Sequence, residues 1–118
     1  METPSILIVE DEEYLGRLYC EILGDYEVEI VKDGFKALAK EKKYELYIVD
    51  IGLPGMDGLE TIERLKLAKG KIKTIVITGY DIEKHAKDFE RILVNGALQK
   101  PFKVLELLNK VEEVLNDN

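Results

Sequence analysis

Tyr47-Ile48-Val49-Asp50-Ile51-Gly52-Leu53-Pro54-Gly55-Met56-Asp57-Gly58 is a short apolar run that ends in one carboxylate and passes at once into a Pro/Gly-rich turn. Apolar residues bounded by turn signals read as a buried strand, here Leu46 to Asp50. Asp50 therefore stands at the carboxyl end of that strand, the edge at which open parallel sheets bind ligands. A carboxylate in that place is a nucleophile, a metal ligand or both. Taken alone, an Asp that only caps the turn is the simpler reading. The company Asp50 keeps decides between them.

Working outward, apolar runs and amphipathic stretches alternate. Ser5 to Val9 is a strand, followed by the acidic turn Glu10-Asp11-Glu12-Glu13 and a helical pattern from Glu12 to Leu23, ended by Gly24-Asp25. Val28 to Val31 is a strand, and Lys32-Asp33-Gly34 turns into a helix carrying Phe35, Leu38 and Ala39. Asp57-Gly58 starts a third helix to about Leu67, with Asp57 as its cap. Lys73 to Thr78 is a strand rich in β-branched residues. Ile82 to Leu93 predicts a helix, Ala97 to Gln99 a brief strand, and Val104 to Leu115 the last helix, with Asn116-Asp117-Asn118 free to fray. Five strands alternating with five helices predict an α/β fold with a doubly wound, five-stranded parallel sheet, and 2-1-3-4-5 is the expected order.

The chain of 118 residues is expected to form one domain, 1–118, with no output domain. No apolar run approaches the roughly 18 residues that span a bilayer. No secretory leader is read at Met1-Glu2-Thr3-Pro4, so a cytoplasmic location is expected. Cys20, the single cysteine, reads as a small core or half-buried hydrophobe. The net charge of −7 argues against sequence-independent nucleic-acid binding.

In the order 2-1-3-4-5 the first and third strands are neighbours, and their ends flank the topological switch point. Glu10-Asp11 and Asp50 thus converge on one cleft. Like charges that close require a raised pKa or a bound cation, and an all-oxygen set suits Mg2+. The fourth strand ends in Thr78, a hydroxyl, and the fifth in Lys100, an ammonium. Singly, each has a plain structural reading: a helix-dipole pair worth roughly 0.3–1 kcal/mol, a strand threonine, a solvated lysine. Four consecutive strand ends carrying complementary polar groups favour a site.

The constellation resembles the receiver domain of two-component response regulators, the flavodoxin-like receiver fold. The resemblance covers the chain from Ile6-Leu7-Ile8-Val9-Glu10-Asp11-Glu12 to the last helix. It rests on the acidic pair, Asp50 with Pro54 and Asp57-Gly58, Thr78-Gly79, and Lys100-Pro101-Phe102. It implies that Asp50 is phosphorylated by a sensor histidine kinase, and that Mg2+ is held by Asp11, Asp50 and the Gly52 carbonyl, with Glu10 acting through water. It further implies that Thr78 and Lys100 contact the phosphoryl group, that Lys100-Pro101 is cis, and that the protein catalyses only its own phosphorylation and dephosphorylation. Output or relay then goes through another protein, a histidine phosphotransfer partner or a target.

Two departures accompany it: Glu10 stands where many members have Asp, and Ala97 stands where the family often carries an aromatic that swings on phosphorylation. Rival classes fare worse. An aspartyl phosphohydrolase needs a second Asp at the position of Gly52, and a flavin module would meet phosphate repulsion at Glu10-Asp11-Glu12-Glu13. A degenerate receiver that binds partners without phosphorylation is the remaining alternative. His85 reads as a surface or capping residue, the tyrosines mostly as packing, and Tyr80 as an edge of the cleft. The first helix carries Tyr14, Leu15, Leu18, Tyr19, Ile22 and Leu23, a stripe wider than one sheet face needs. Leu15 and Leu18, with Pro101 and Phe102, are therefore expected to form a kinase-docking surface, and Ile22 and Leu23 to be mostly core.

Overall fold

Both faces of the central strands are covered, which is why their sequences run apolar without alternation. The structure, a computed structural model, describes residues 3–79 and 81–117. In chain order it contains β1 (Ser5–Val9), α1 (Glu13–Ile22), β2 (Glu27–Val31), α2 (Gly34–Ala39), β3 (Leu46–Asp50), α3 (Gly58–Lys69) and β4 (Thr74–Thr78). A 3-10 turn (Ile82–His85), α4 (Ala86–Arg91), β5 (Gly96–Gln99) and α5 (Val104–Asn116) complete it. The sheet order is β2-β1-β3-β4-β5 with every pairing parallel, the expected topology.

Successive strand residues point to opposite faces, so each strand feeds two cores. Leu7, Val9, Tyr47, Val49 and Val76 pack with Ala37, Ile62, Leu65 and Phe89 of α2, α3 and α4. Ile6, Ile8, Leu46, Ile48, Ile75 and Ile77 pack with Tyr19, Leu107, Val111 and Val114 of α1 and α5. Tyr47 is fully buried. Its hydroxyl accepts a hydrogen bond from the Tyr44 N–H at 3.1 Å, so the polar atom is not stranded. Asp33 and Asp57 cap α2 and α3, accepting from the N–H groups of Lys36 (2.8 Å) and Glu60 (2.9 Å). Glu106 accepts from the Lys103 N–H at 3.1 Å at the start of α5.

One element departs from the sequence reading. Ile82–Leu93 is not a single helix but a 3-10 turn followed by a short α4. Asp81 accepts from the Glu83 N–H at 3.0 Å and closes the chain tightly at its start. No residue of the turn is buried, and in α4 only Phe89 is. Packing therefore does little to enforce α-geometry over the whole stretch. The remaining boundaries differ by one or two residues, as helix and strand ends do. Asn116, expected to fray, is the last residue of α5, and Asn118 lies outside the described residues. Among the described residues no helix is long and apolar enough to cross a membrane.

Candidate functional site

The carboxyl ends of β1, β3, β4 and β5 bring the predicted polar residues to one edge. Asp50 and Glu10 are buried, 7% and 3% exposed, while Asp11 is exposed at the rim. One carboxylate oxygen from each of Glu10, Asp11 and Asp50 lies within 4.8 Å of the other two. The Lys100 ammonium reaches in from the end of β5 and donates to Asp50 Oδ2 at 2.7 Å, with Glu10 Oε1 at 3.6 Å. Asp50 Oδ1 accepts from the Gly52 N–H at 2.8 Å, which fixes the carboxylate against the loop that follows it. The Lys100 N–H donates to the Thr78 carbonyl at 2.7 Å, tying the Lys100 backbone to the end of β4. Thr78 itself is fully buried.

Backbone geometry tightens the arrangement around Asp50. A Cβ on Gly58 would stand 2.3 Å from the Asp50 carbonyl oxygen and 2.7 Å from Ile51 Cα. Only glycine lets the start of α3 sit against the exit of β3. A Cβ on Gly79 would meet nothing within 4 Å, so the side of the cleft beyond Thr78 is open. The Lys100-Pro101 bond is cis, as the resemblance implied.

The charges are unbalanced. Burial pushes the Glu10 carboxyl up to about 7, and the like charge of Asp50 adds to it, against the Glu12 N–H and Lys100. Burial depresses the Lys100 ammonium, but its hydrogen bond to Asp50 and the charges of Asp50 and Glu10 outweigh that and raise it. Glu10 Oε2 accepts from the Glu12 N–H at 3.2 Å, yet Oε1 is buried without a hydrogen-bond partner. Such an orphaned oxygen beside two further carboxylates is what a hard cation or its bound water satisfies. The donor set therefore fits Mg2+: three carboxylates, one of them under-coordinated, and a loop that brings Gly52 beside Asp50.

A second feature borders the cleft. A groove of about 310 Å³ runs between α1 and the β5–α5 connection, lined by Leu15, Leu18, Ile22, Pro101, Phe102 and Val104. Leu15 and Leu18 are half-buried, and Leu23 is fully buried. Ile22, expected in the core, is only half-buried and lines the groove. It sits one helical position from Leu23, and the sheet face is already filled by Tyr19 and Leu23. Tyr19 is core too, its ring stacked on Phe102 at 5.8 Å. Burial pushes its hydroxyl up to about 12. Val104, half exposed at the first turn of α5, was not singled out from the sequence. Its place just after Pro101-Phe102 was the available signal.

The other sequence candidates fall as follows. Asp57 caps α3 and takes no part in the acidic cluster. His85 immediately precedes α4 without a side-chain cap bond, and its ring stacks on Phe89 at 5.9 Å. Cys20 is a half-buried free thiol. Tyr14 is 72% exposed and does not pack, unlike Tyr19, Tyr44 and Tyr47. Tyr80 lies outside the described residues. Ala97 is half-buried and pairs with Val76, on the face covered by Ile82 and Phe89. Gln99, read from the sequence only as a strand end, accepts through Oε1 from the Ile82 N–H at 3.3 Å and so joins the residue before Lys100 to the 3-10 turn.

Comparison with known proteins places this geometry. The family model described as the response regulator receiver domain matches residues 6–112. The uncharacterized transcriptional regulatory protein YkoG of Bacillus subtilis (strain 168) is 37% identical over 123 residues, covering 100% of this chain and 54% of that protein. The chain thus spans about half the length of that relative. Sporulation initiation phosphotransferase F of the same organism is 30% identical over 125 residues, covering 98% of this chain and 96% of that protein. Among solved structures, response regulator protein TrrA from Thermotoga maritima, in complex with Mg(2+)-BeF, has a TM-score of 0.83 and 31% identity, covering 94% of this chain and 98% of that one.

Proposed function

The chain belongs to the response regulator receiver domain family, and from that premise we propose that it is a working phosphoacceptor: Asp50 takes a phosphoryl group from a histidine kinase in a Mg2+-dependent reaction and passes the signal, or the group, to another protein. The observation that carries the reading is the Lys100–Asp50 contact at 2.7 Å beside the orphaned Glu10 oxygen. A buried acidic cluster with one ammonium is costly to keep unless charge is to be exchanged there.

Asp11, Asp50 and the Gly52 carbonyl would hold Mg2+, with Glu10 acting through water, and the ion would neutralise the acids and the incoming phosphoryl oxygens. The chain's own residues do the rest. The Gly52 N–H holds Asp50 Oδ1, leaving Oδ2 to the Lys100 ammonium. Attack by an Asp50 oxygen on phosphorus forms the acyl phosphate, and the electron pair of the broken P–N bond returns to the donor imidazole. Lys100 exchanges its carboxylate partner for a phosphoryl oxygen, and the Thr78 hydroxyl donates to another. Catalysis here is positioning and charge neutralisation. The groove at Leu15, Leu18, Pro101 and Phe102 receives an apolar helix face of the kinase or phosphotransfer partner, beside Lys100, which reaches Asp50.

Intact mass after incubation with Mg2+ and a small phospho-donor tests this. A single phosphoryl addition that disappears in Asp50→Ala is expected. An addition that survives Asp50→Ala removes Asp50 from the role. No addition under any donor favours a binding module that works without phosphorylation.

A further inference from the structure

The face formed by α3 and α4, on the opposite side of the sheet from the α1 groove, carries a backbone feature that the fold does not explain. Helix α4 closes with the Leu93 N–H on the Glu90 carbonyl (3.2 Å) and the Val94 N–H on the Phe89 carbonyl (2.9 Å), the paired bonds of a Schellman motif. The residue in the left-handed position of that motif is Leu93, at φ 57. Glycine is the usual occupant, because a Cβ there is crowded. Leu93 is moreover 71% exposed, so its side chain does little for the core. Across a cavity of about 350 Å³ stands Leu67 of α3, 88% exposed. Single exposed leucines are ordinary. A leucine kept in a glycine conformation to stand in water beside a second one is not.

The rim charges are already satisfied. Arg91 pairs with Glu63 at 3.0 Å and Asp88 at 3.6 Å. The Lys66 ammonium lies on the carbonyls of Ile92 (2.6 Å) and Leu93 (3.1 Å). A charged ligand finds no unpaired partner among these groups. What the face offers is two protruding leucines and a hole, knob and socket on one patch.

We infer that this face is a self-association surface, at which a second copy of the chain docks about a two-fold axis with Leu67 and Leu93 of each copy seated against the α3–α4 cavity of the other. Knob and socket on the same patch are the requirement for an isologous contact. Charge selects the same occupant. With a net charge of −7, two copies repel over most of their surface. Here Lys66 and Arg91 balance Glu63 and Asp88 within one copy, so a second copy meets no net like charge on this face. The patch is small, so the dimer is weak and transient. It leaves the Asp50 cleft and the α1 groove free for a kinase.

Sedimentation velocity on the whole chain, from micromolar to millimolar, tests the inference. The unaltered protein is expected to shift from monomer to dimer as concentration rises. Leu67→Lys and Leu93→Gly should each weaken association by about tenfold or more. Leu93→Gly carries the sharper test: at low concentration it should melt at or above the unaltered protein, since glycine suits the left-handed position. A protein that stays monomeric to millimolar concentration, association that persists in both variants, or a Leu93→Gly variant that melts lower would each overturn the assignment. So would association abolished by Leu15→Asp and untouched by Leu67→Lys, because the contact would then lie on the other face.

Discussion

Replacing Glu10 by Gln removes one charge from the buried cluster while keeping nearly the same shape, and in magnesium-free buffer it should stabilise the protein in a pH-dependent way. In the folded chain the Glu10 carboxyl is raised from 4.5 to about 7, first by burial and then by Asp50. A group whose folded pKa lies above its unfolded value contributes stability that is complete below the unfolded pKa, near 4.5, and is lost as pH rises through about 7. At about 1.4 kcal/mol per pH unit, the ionised carboxyl costs the folded state about 3 kcal/mol at pH 8. Water entry around the rim and the Lys100 ammonium at 3.6 Å reduce this, so a gain of about 1–3 kcal/mol is expected for Glu10→Gln at pH 8. The amide also supplies an N–H where Oε1 now lacks a partner. The assay is urea unfolding of both proteins in chelator at pH 5 and pH 8, then at pH 8 with saturating Mg2+. The variant should be the more stable at pH 8, by that gain of about 1–3 kcal/mol in the unfolding free energy, and nearly equal at pH 5. Mg2+ should stabilise the unaltered protein more than the variant, because bound ligand adds to folding stability. A gain of the same size at both pH values, or none at pH 8, refutes the reasoning that buried charge at Glu10 is the source.

Asp11→Asn should weaken Mg2+ binding by more than the roughly tenfold typical of losing an indirect partner, and slow phosphorylation in step. Lys100→Ala should leave Mg2+ affinity equal or tighter, since a competing ammonium is gone, yet impair the response to phosphorylation; equal losses of affinity in the two variants would contradict this division. Leu15→Asp should abolish phosphorylation by the kinase while leaving small-donor phosphorylation and Tm nearly unchanged; unfolding of the variant, or normal transfer from the kinase, would move the docking surface elsewhere. Gly58→Ala forces a Cβ to 2.3 Å from the Asp50 carbonyl oxygen, so it should cost about 1–3 kcal/mol in urea unfolding and slow phosphorylation through a displaced Asp50; a variant as stable as its parent would show that the start of α3 can move freely.

Periodicity carried the fold. The buried strands read as continuous apolar runs because both sheet faces are covered, and amphipathic stretches between them left few topologies, of which the expected 2-1-3-4-5 is the one observed. The site was legible for the same reason: Glu10, Asp50, Thr78 and Lys100 close or follow strands, and a parallel sheet collects such ends at one edge. The fold then sets Lys100 within 2.7 Å of Asp50 and 3.6 Å of Glu10, while the register puts Thr78 one residue beyond Ile77, the partner of Asp50. Stretches with weak packing were not legible. Ile82–Leu93 has helical spacing, but only Phe89 and Ile92 are buried there, so local capping by Asp81 settled its form.

Pairings set by side-chain reach lay beyond the sequence altogether. Nothing in Lys100-Pro101 says that its ammonium chooses Asp50 at 2.7 Å over Glu10 at 3.6 Å. Nothing in Glu10-Asp11 says which of the two is buried and left with an unpartnered oxygen. Nor does the run Arg91-Ile92-Leu93-Val94 reveal a leucine in a left-handed turn. Strand and helix spacing is a property of neighbours along the chain, which sequence states directly. Desolvation and ion-pair choice depend on atoms tens of residues apart, and only the packed chain brings those together.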